Sequence, residues 1–379
     1  MREVVIVDAI RTPLGRGGKD QGYFKDARAD DLAVFCVGRL LERNARVNPA
    51  EIEDVVFGCA NQSGEQGLNI ARMIGLLAGL PVEVAGTTID RQCGSSLQAV
   101  NSAAQAIACG AGDIAIAGGV ENMSKTPMGA GIQPNPKLLD MFPRDMFFMG
   151  MTAERLAEMY KVSRQDSDRF SLQSNQRAIA ARDRFKEEIV PATLGDGRTV
   201  DVDQGPRAET SLEKLASLQP SFKPGGQVTA GNSSQISDGA AAVLLMTADR
   251  ARSLGLRPMA KIRSTAVAGV RPEIMGWGPV PSVRKAIGRA GLRLSDIGLV
   301  EINEAFACQV LACNTELGIA EDKLNVNGGA VALGHPLGCS GARLVVTLTH
   351  EMRRRGTALG LATMCIGIGQ GIATVVEQV

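Results

Sequence analysis

An internal repeat limits what this chain can fold into more than any other feature of its sequence. Residues 93–119 resemble residues 339–365, at an offset of 246. In both copies a turn of Cys, Gly and Ser opens an apolar helical pattern of roughly 15 residues, and a β-prone run follows the glycine that ends it, Gly110 or Gly356. Residues 47–57 match 292–302 in the same way. Two copies of one α/β unit predict two similar halves, with pseudo-twofold symmetry and a site where their loops meet.

Apolar patterns along the first 120 residues alternate between the periods of a strand and of a helix. They predict strands at 4–8, 55–57, 87–90 and 113–118, and helices at 30–42, 69–79 and 95–109. This order predicts an α/β fold with buried, mostly parallel strands.

The composition changes after residue 120. Six of the fourteen methionines lie between 121 and 151, and residues 195–226 are rich in Gly, Pro and charged residues. Flexible thioethers suit an adaptable ligand surface, but they also fill cores and interfaces. Ser163 and Asp166 predict a capped helix start. We therefore predict an N-terminal half at 1–120, a loop domain at 121–247 folded on one face of the core, and a C-terminal half at 248–379.

Bulk properties exclude several function classes. The net charge of +1 and the aromatic content of 3% argue against a nucleic-acid surface. No apolar run approaches the roughly 18 residues of a membrane span. Eight cysteines without a CxxC pair, together with only two histidines, argue against a metal site and predict free thiols. The N-terminus lacks a signal-peptide pattern, so we expect a cytoplasmic protein.

Four polar positions follow predicted strands or lie in glycine-rich turns. Cys93 precedes a predicted helix, whose N-terminus lowers a thiol pKa. Asn303 ends a strand, His335 lies in a glycine-rich loop, and Cys365 ends a strand before the turn that contains Gly367. Each has a plain structural alternative: a buried thiol, a turn amide or a loop histidine. Because the repeat brings these stretches near Cys93, we interpret them as one site.

Such a set of groups supports a specific chemistry. One thiolate attacks an acyl carbon, and a second thiol moves a proton to or from a carbon acid. Asn303 and His335 hold one oxyanion, and the N–H groups of Cys93 and Gly367 hold another. Two oxyanion sites are needed when an enolate and a tetrahedral intermediate form together. The set therefore predicts formation or cleavage of a carbon–carbon bond at a thioester.

Four blocks of the sequence resemble the signatures of the thiolases: residues 90–96, 303–307, 334–338 and 365–371. The resemblance implies the thiolase fold, an α/β protein with two duplicated halves packed as a layered α-β-α-β-α core and an inserted loop domain. It makes Cys93 the nucleophile, His335 its base and Cys365 the acid/base at the α-carbon of acetyl-CoA. Asn303 would fix a water beside His335, and Gly367 with Cys93 would supply the second oxyanion hole.

The resemblance also implies residues that contact coenzyme A. Residues 228–234 resemble the block that contacts the pantetheine arm. The implied contacts are Ser234, Ala230, Met149, Phe222, Phe306 and, at the nucleotide phosphates, Arg207. A solvated surface arginine is the alternative for Arg207.

The pattern of acetoacetyl-CoA-specific thiolases has a histidine where this chain has Phe148. This difference favours the branch of the family that degrades 3-ketoacyl-CoA. We therefore expect thiolytic cleavage of 3-ketoacyl-CoA in fatty-acid β-oxidation; acetyl-CoA acetyltransferase activity is the alternative. A decarboxylating condensing enzyme and a non-catalytic scaffold are less consistent with four intact motifs. Coenzyme A is a substrate, and we expect no cofactor and no metal. The resemblance implies a homodimer or homotetramer, and in some members a complex with a multifunctional hydratase–dehydrogenase subunit.

Overall fold

A computed structural model describes residues 1–18, 20–129 and 133–379. The strands are β1 Val4–Arg11, β2 Gly15–Arg16, β3 Ile52–Gly58, β4 Ala85–Ile89, β5 Ile114–Asn122, β6 Ala192–Thr193, β7 Thr199–Val200, β8 Ser237–Thr247, β9 Ala260–Gly269, β10 Leu299–Ile302, β11 Leu359–Ile366 and β12 Gln370–Gln378. The α-helices are α1 Ala29–Arg43, α2 Ile70–Leu77, α3 Ser95–Cys109, α4 Leu138–Met141, α5 Met149–Tyr160, α6 Arg164–Ala180, α7 Arg182–Phe185, α8 Leu212–Ala216, α9 Ala248–Ser253, α10 Pro279–Ala290, α11 Ala307–Leu317, α12 Ala330–Leu333 and α13 Leu337–Arg355.

Strands of both halves form one mixed sheet in the order β10-β11-β12-β9-β1-β8-β5-β3-β4, with β2 beside β8. Only β3 with β4, β3 with β5, and β10 with β11 pair in parallel among the described strands. The expectation of mostly parallel strands is therefore wrong. One reason is the three-residue turn between β11 and β12, which is too short for the crossover that a parallel pair requires.

Three apolar clusters divide the protein into five layers. The central cluster joins α3 and α13 to inward-facing side chains of both halves of the sheet. A second cluster packs α1 and α2 on the outer face of the N-terminal strands, and a third packs α10 and α11 on the outer face of the C-terminal strands. Ile6 belongs to the central cluster, whereas its neighbour Val5 belongs to the outer one, because successive strand side chains face opposite sides. The predicted α-β-α-β-α layering is confirmed.

The two copies of the repeat form equivalent elements. α3 ends at Gly110 and α13 at Gly356, both in the left-handed conformation, and β5 and β11 follow them. The copies differ at the helix start. Cys93 precedes α3, whereas α13 begins at Leu337, so that Cys339 lies inside the helix and is fully buried.

The segment between the halves is anchored in the core. Ser163 caps α6 with Asp166, as its sequence predicts. Ser237–Thr247, expected on one face of the core, instead forms β8 between β1 and β5, with every residue buried. Its continuous apolar run is typical of a strand covered on both faces. The divisions at residues 120 and 247 remain predictions.

Within the described ranges, no helix combines the length and apolar character needed to cross a membrane.

Candidate active site

Cys93 lies in a tightly held turn between β4 and α3. Gln92 adopts a φ of 48°, a left-handed conformation that is uncommon for a residue other than glycine. Asp90 Oδ1 accepts a hydrogen bond from the Gln92 N–H at 2.7 Å. Ser95 Oγ accepts one from the Arg91 N–H at 2.9 Å and donates one to the Gln92 carbonyl at 2.6 Å. These bonds fix the strained backbone and therefore the direction of the Cys93 side chain.

The backbone N–H groups of Gly367 and of Cys93 itself favour the Cys93 thiolate and act to lower its pKa. Burial by the surrounding protein nevertheless raises the pKa of Cys93 to about 11, because desolvation is the larger effect. The expectation of a lowered thiol pKa is therefore wrong. Cys93 is a neutral thiol at pH 7 and needs a base in order to react.

The second thiol, Cys365, lies near the end of β11 and is 1% exposed. Burial, followed by the charge of Cys93, raises the pKa of Cys365 well above its usual value. A Cβ on Gly94 would lie 2.6 Å from Ile366 Cδ1, so the segments that carry the two sulfurs are in contact. Gly367, whose N–H acts to lower the pKa of Cys93, begins the turn that follows β11.

His335 and Asn303 form a buried pair. Asn303 Nδ2 lies 3.3 Å from His335 Nε2, and the Asn303 backbone N–H donates to the Thr363 carbonyl at 3.0 Å. Because Thr363 belongs to β11, this bond places Asn303 beside the strand that carries Cys365. Asn303 Oδ1 accepts no hydrogen bond from the described residues.

The hydrogen bonds of Ser340 assign the tautomer of His335. Ser340 Oγ lies 2.8 Å from the Pro336 carbonyl oxygen, which can only accept, and 2.5 Å from His335 Nδ1. The hydroxyl proton therefore goes to Pro336, and Nδ1–H donates to Ser340. Nε2 then carries the lone pair and accepts from Asn303. Burial, followed by the charge of Arg343, lowers the pKa of His335 to about 3, so the imidazole is neutral.

Contacts between the two helix starts bring the loops of His335 and Cys93 together. The Ala342 N–H in α13 donates to Ser96 Oγ in α3 at 2.9 Å. The Glu121 carboxylate accepts from the Gly338 N–H at 2.8 Å and from the Ala60 N–H at 2.9 Å, and so joins the two halves. A Cβ on Gly119 would lie 2.1 Å from the Gly338 carbonyl oxygen, so this approach requires glycine.

The residues expected at the pantetheine arm occupy one region. The rings of Phe222 and Phe306 meet edge to face at 6.0 Å. Met149 Sδ lies 3.8 Å from the position of a Cβ on Gly367. The Ser234 N–H donates to the Ala305 carbonyl at 2.9 Å, which fixes the serine beside Phe306. An apolar patch therefore adjoins the turn of Gly367.

Arg207 and Ala230 line the same cavity, of about 160 Å³. Lys214 and Gln235 also line it. Across 1–18, 20–129 and 133–379, no three His, Cys, Asp or Glu side chains converge as metal ligands.

Two protein-family models match this chain, one over its N-terminal part and one over its C-terminal part. The model of the thiolase N-terminal domain matches residues 4–249, and that of the thiolase C-terminal domain matches residues 256–378. The chain belongs to the thiolase family. The fold and family that the motifs predicted are thereby confirmed.

Thiolases from several organisms resemble the whole chain. A 3-ketoacyl-CoA thiolase of Aeromonas salmonicida and one of Yersinia enterocolitica are each 51% identical to it, with both chains fully covered. Human mitochondrial 3-ketoacyl-CoA thiolase and the acetyl-CoA acetyltransferase of Bacillus anthracis each superpose with a TM-score of 0.92 at 40% identity, covering 100% of this chain and 99% of theirs. The human thiolase has also been solved in complex with CoA.

Sequence reasoning missed two residues of this thiolase site. Ser340 orients His335, and Glu121 ties the His335 loop to the N-terminal half. A carboxylate directly after an apolar strand was the available signal for Glu121. Ser340 lies one helical turn after Pro336, but nothing in the sequence alone distinguishes it from any other helix serine.

Proposed function

We propose that this thiolase is a 3-ketoacyl-CoA thiolase. It is an acyltransferase that cleaves 3-ketoacyl-CoA with coenzyme A, releasing acetyl-CoA and an acyl-CoA shortened by two carbons. The observation that carries the proposal is one site in which the segments of Cys93 and Cys365 are in contact and the Asn303–His335 pair lies beside the strand of Cys365. The names of the full-length relatives support the choice of substrate.

In the first half-reaction, Cys93 attacks the 3-keto carbon while His335 Nε2 takes the thiol proton. Attack and proton transfer occur together, because burial disfavours a free Cys93 thiolate. The imidazolium that results is balanced by the negative charge that develops on the substrate. The N–H groups of Cys93 and Gly367 stabilise the oxyanion on the attacked carbon. The bond between C2 and C3 then breaks, leaving an acyl group on Cys93 and the enolate of acetyl-CoA.

Asn303 and His335 stabilise the enolate. The Asn303 amide and an attached water stabilise its oxygen, and the unpaired, buried Oδ1 of Asn303 suits a role in holding that water. Cys365 donates its proton to the enolate carbon, which gives acetyl-CoA.

In the second half-reaction, the Cys365 thiolate takes the proton of the coenzyme A thiol. The resulting thiolate attacks the acyl group, Cys93 leaves, and the imidazolium of His335 returns its proton. Every group regains its starting protonation state, so the cycle needs neither a metal nor a redox cofactor.

We assign coenzyme A binding to Ser234, Ala230, Met149, Phe222 and Phe306. The apolar patch beside Gly367 suits the pantetheine arm. The cavity that Arg207 and Ala230 share suits the nucleotide, because a guanidinium pairs well with phosphate. We further propose a cytoplasmic homodimer or homotetramer that acts in β-oxidation, either free or bound to a hydratase–dehydrogenase subunit.

Acetyl-CoA acetyltransferase activity is the second candidate, since the B. anthracis structure is as similar as the human one. Rates of thiolysis on C4 against C8–C16 3-ketoacyl-CoA decide between them. We expect the longer chains to be cleaved efficiently, and a preference confined to C4 would favour the second candidate.

The variant Cys93→Ala tests the site itself. We expect thiolysis to disappear, whereas Cys109→Ala, which removes an exposed thiol at the far end of α3, leaves it unchanged. Near-wild-type turnover in Cys93→Ala would refute the assignment.

A further inference from the structure

We propose that Arg91 and Gln370 form a clasp that positions the Gly367 N–H against Cys93. The inference rests on the proposed function, since it assigns two positioning residues to that reaction. Arg91 belongs to the turn of Cys93 in the N-terminal half. Gln370 follows the turn of Gly367 in the C-terminal half. Arg91 Nη1 donates to Gln370 Oε1 at 3.0 Å, which links the two turns directly.

The backbone holds the Arg91 end of the clasp in place. The Arg91 N–H donates to Ser95 Oγ, and the Arg91 carbonyl accepts from the Gly94 N–H at 2.9 Å. Only Gln92, whose backbone is strained, separates Arg91 from Cys93. A shift of the Arg91 backbone would therefore also shift Cys93.

The Gln370 end is equally fixed. Gln370 begins β12, where it pairs with Ile366 of β11 on one side and with Gly269 of β9 on the other. A Cβ on Gly278 would lie 2.0 Å from the Gln370 carbonyl oxygen, so close packing also restrains this end. Gly367 and Gln370 are the ends of one short turn, and their separation is set by this pairing.

Two rigid turns joined by one hydrogen bond have a fixed spacing. Other contacts between them are apolar: a Cβ on Gly94 would lie 2.6 Å from Ile366 Cδ1, and a Cβ on Gly367 would lie 3.8 Å from Gln92 Cβ. Apolar contacts set distance but not direction, whereas the donor at Gly367 must point at the sulfur and later at the oxyanion. The clasp supplies that direction.

An interface bond that merely stabilises the fold is the alternative, and the chain contains a matched example. Gln105 Nε2, in α3, donates to Thr265 Oγ1, in β9, at 3.0 Å. It also joins the two halves, but it lies toward the other end of α3. Gln105→Ala is therefore the control for the loss of one such bond.

The experiment measures alkylation of Cys93 by iodoacetamide against pH, with the Cys93 peptide quantified by mass spectrometry. We expect Arg91→Ala and Gln370→Ala to shift the Cys93 profile to higher pH, because a misdirected Gly367 N–H stabilises the thiolate less. We also expect kcat for thiolysis to fall about 10²-fold with KM for acyl-CoA within about twofold, because a displaced donor mainly affects the transition state. Gln370→Glu, which keeps an acceptor, should retain most activity. The double alanine variant should lower kcat no more than either single alanine variant does, because both remove the same bond.

Unchanged alkylation profiles and kcat in both folded alanine variants would overturn the clasp, as would equal effects from Gln105→Ala. If an alanine variant does not fold, Arg91→Met, which removes the donor, and Gln370→Glu, which keeps the acceptor, are compared by the same two measurements. A loss in Arg91→Met with retention in Gln370→Glu is then required. Absence of wild-type thiolysis would refute the proposed function instead. The alkylation profiles would still test the clasp in that case.

Discussion

The side-chain amide of Asn303 lies 3.3 Å from Nε2 of His335, although 32 positions separate the two residues along the chain. Both are buried, with Asn303 0% and His335 5% exposed. The contact places the amide donor and the imidazole Nε2 side by side. A carbonyl oxygen that becomes negative there would receive both an amide and the protonated imidazole.

Asn303→Ala removes the amide donor from this pair. We expect kcat for thiolysis to fall by about 10²-fold or more, because an oxyanion then loses a preorganised hydrogen bond. Steady-state kinetics measure the effect. Asn48→Ala removes the exposed amide that caps a short 3₁₀ turn before β3 and should leave kcat unchanged. Equal kcat values for Asn303→Ala and wild type would exclude a direct role for the amide.

Ser340 fixes the His335 tautomer, which predicts opposite tautomers for the two histidines of this chain. His335 carries its proton on Nδ1, whereas Nε2 of His350 lies 2.9 Å from the Ala9 carbonyl oxygen and must carry the proton there. With only two histidines, ¹⁵N imidazole spectra resolve both rings. We expect one ring of each tautomer. Identical tautomers would contradict the assignment.

Ser340→Ala tests the consequence for catalysis. Without an acceptor for Nδ1–H the ring is free to adopt the other tautomer, so we expect kcat to fall about ten- to a hundredfold and the ¹⁵N spectrum of His335 alone to change. Ser340→Thr keeps the hydroxyl and should restore both. Ser282→Ala is the matched control, since Ser282 is also a buried helix serine that donates to the carbonyl four residues earlier, at 3.0 Å.

Cys365 has a role separable from that of Cys93. In Cys365→Ala, Cys93 should still take an acyl group from a saturated acyl-CoA and return it to labelled coenzyme A. That exchange forms no enolate, and the His335 imidazolium formed on acylation can give its proton to the departing coenzyme A thiolate and take it back in the reverse step. Cleavage of 3-ketoacyl-CoA should fall by at least 10²-fold, since the enolate then lacks its proton donor. Isotope exchange and thiolysis are measured on the same preparation. Loss of both activities to the same degree would show that the two thiols act as one unit.

Local sequence patterns predicted the features that depend only on residues close together along the chain. The bounds of α3, the glycine that ends it and the equivalent elements of the second half follow from periodicity and from the repeat. The choice of Asn303 and Cys365 follows from polar residues at the ends of apolar strands. Cys93 follows from its place before a predicted helix, and His335 from its glycine-rich loop. Each of these features is encoded within about twenty residues.

Long-range packing determined the rest. The apolar run of β8 suits a buried strand, but nothing local shows that it lies between β1 and β5. Glu121 meets Gly338 across 217 positions of sequence. The thiol pKa of Cys93 is raised because of what surrounds it, whereas the helix N-terminus alone suggested the opposite direction. Desolvation is a property of the assembled core and has no local sequence signal.

Asp238, at the start of β8, predicts a pH-dependent stability. Its carboxylate accepts from the Ser124 N–H at 2.9 Å and from the Ser124 hydroxyl at 2.5 Å, yet burial raises the pKa of Asp238 from 3.8 to about 6. Because the folded-state pKa lies above the unfolded one, the native state binds the proton more tightly. This group's contribution to the free energy of unfolding is therefore present below pH 4 and is lost as the pH rises through 6.

Asp238→Asn removes that titration. Relative to wild type, the variant's free energy of unfolding should rise by up to about 3 kcal/mol between pH 4 and pH 7, at about 1.4 kcal/mol for each unit of the pKa shift. It should rise no further above pH 7. Urea denaturation of both proteins at matched pH values gives the difference, in which the titrations of His335 and Glu301 cancel. Asp183→Asn, at an exposed carboxylate whose pKa is lowered by its hydrogen bond to Lys186, should show no such gain, because its transition lies below pH 4. A stability difference between Asp238→Asn and wild type that stays constant from pH 4 to pH 7 would mean that Asp238 is already ionised throughout that range.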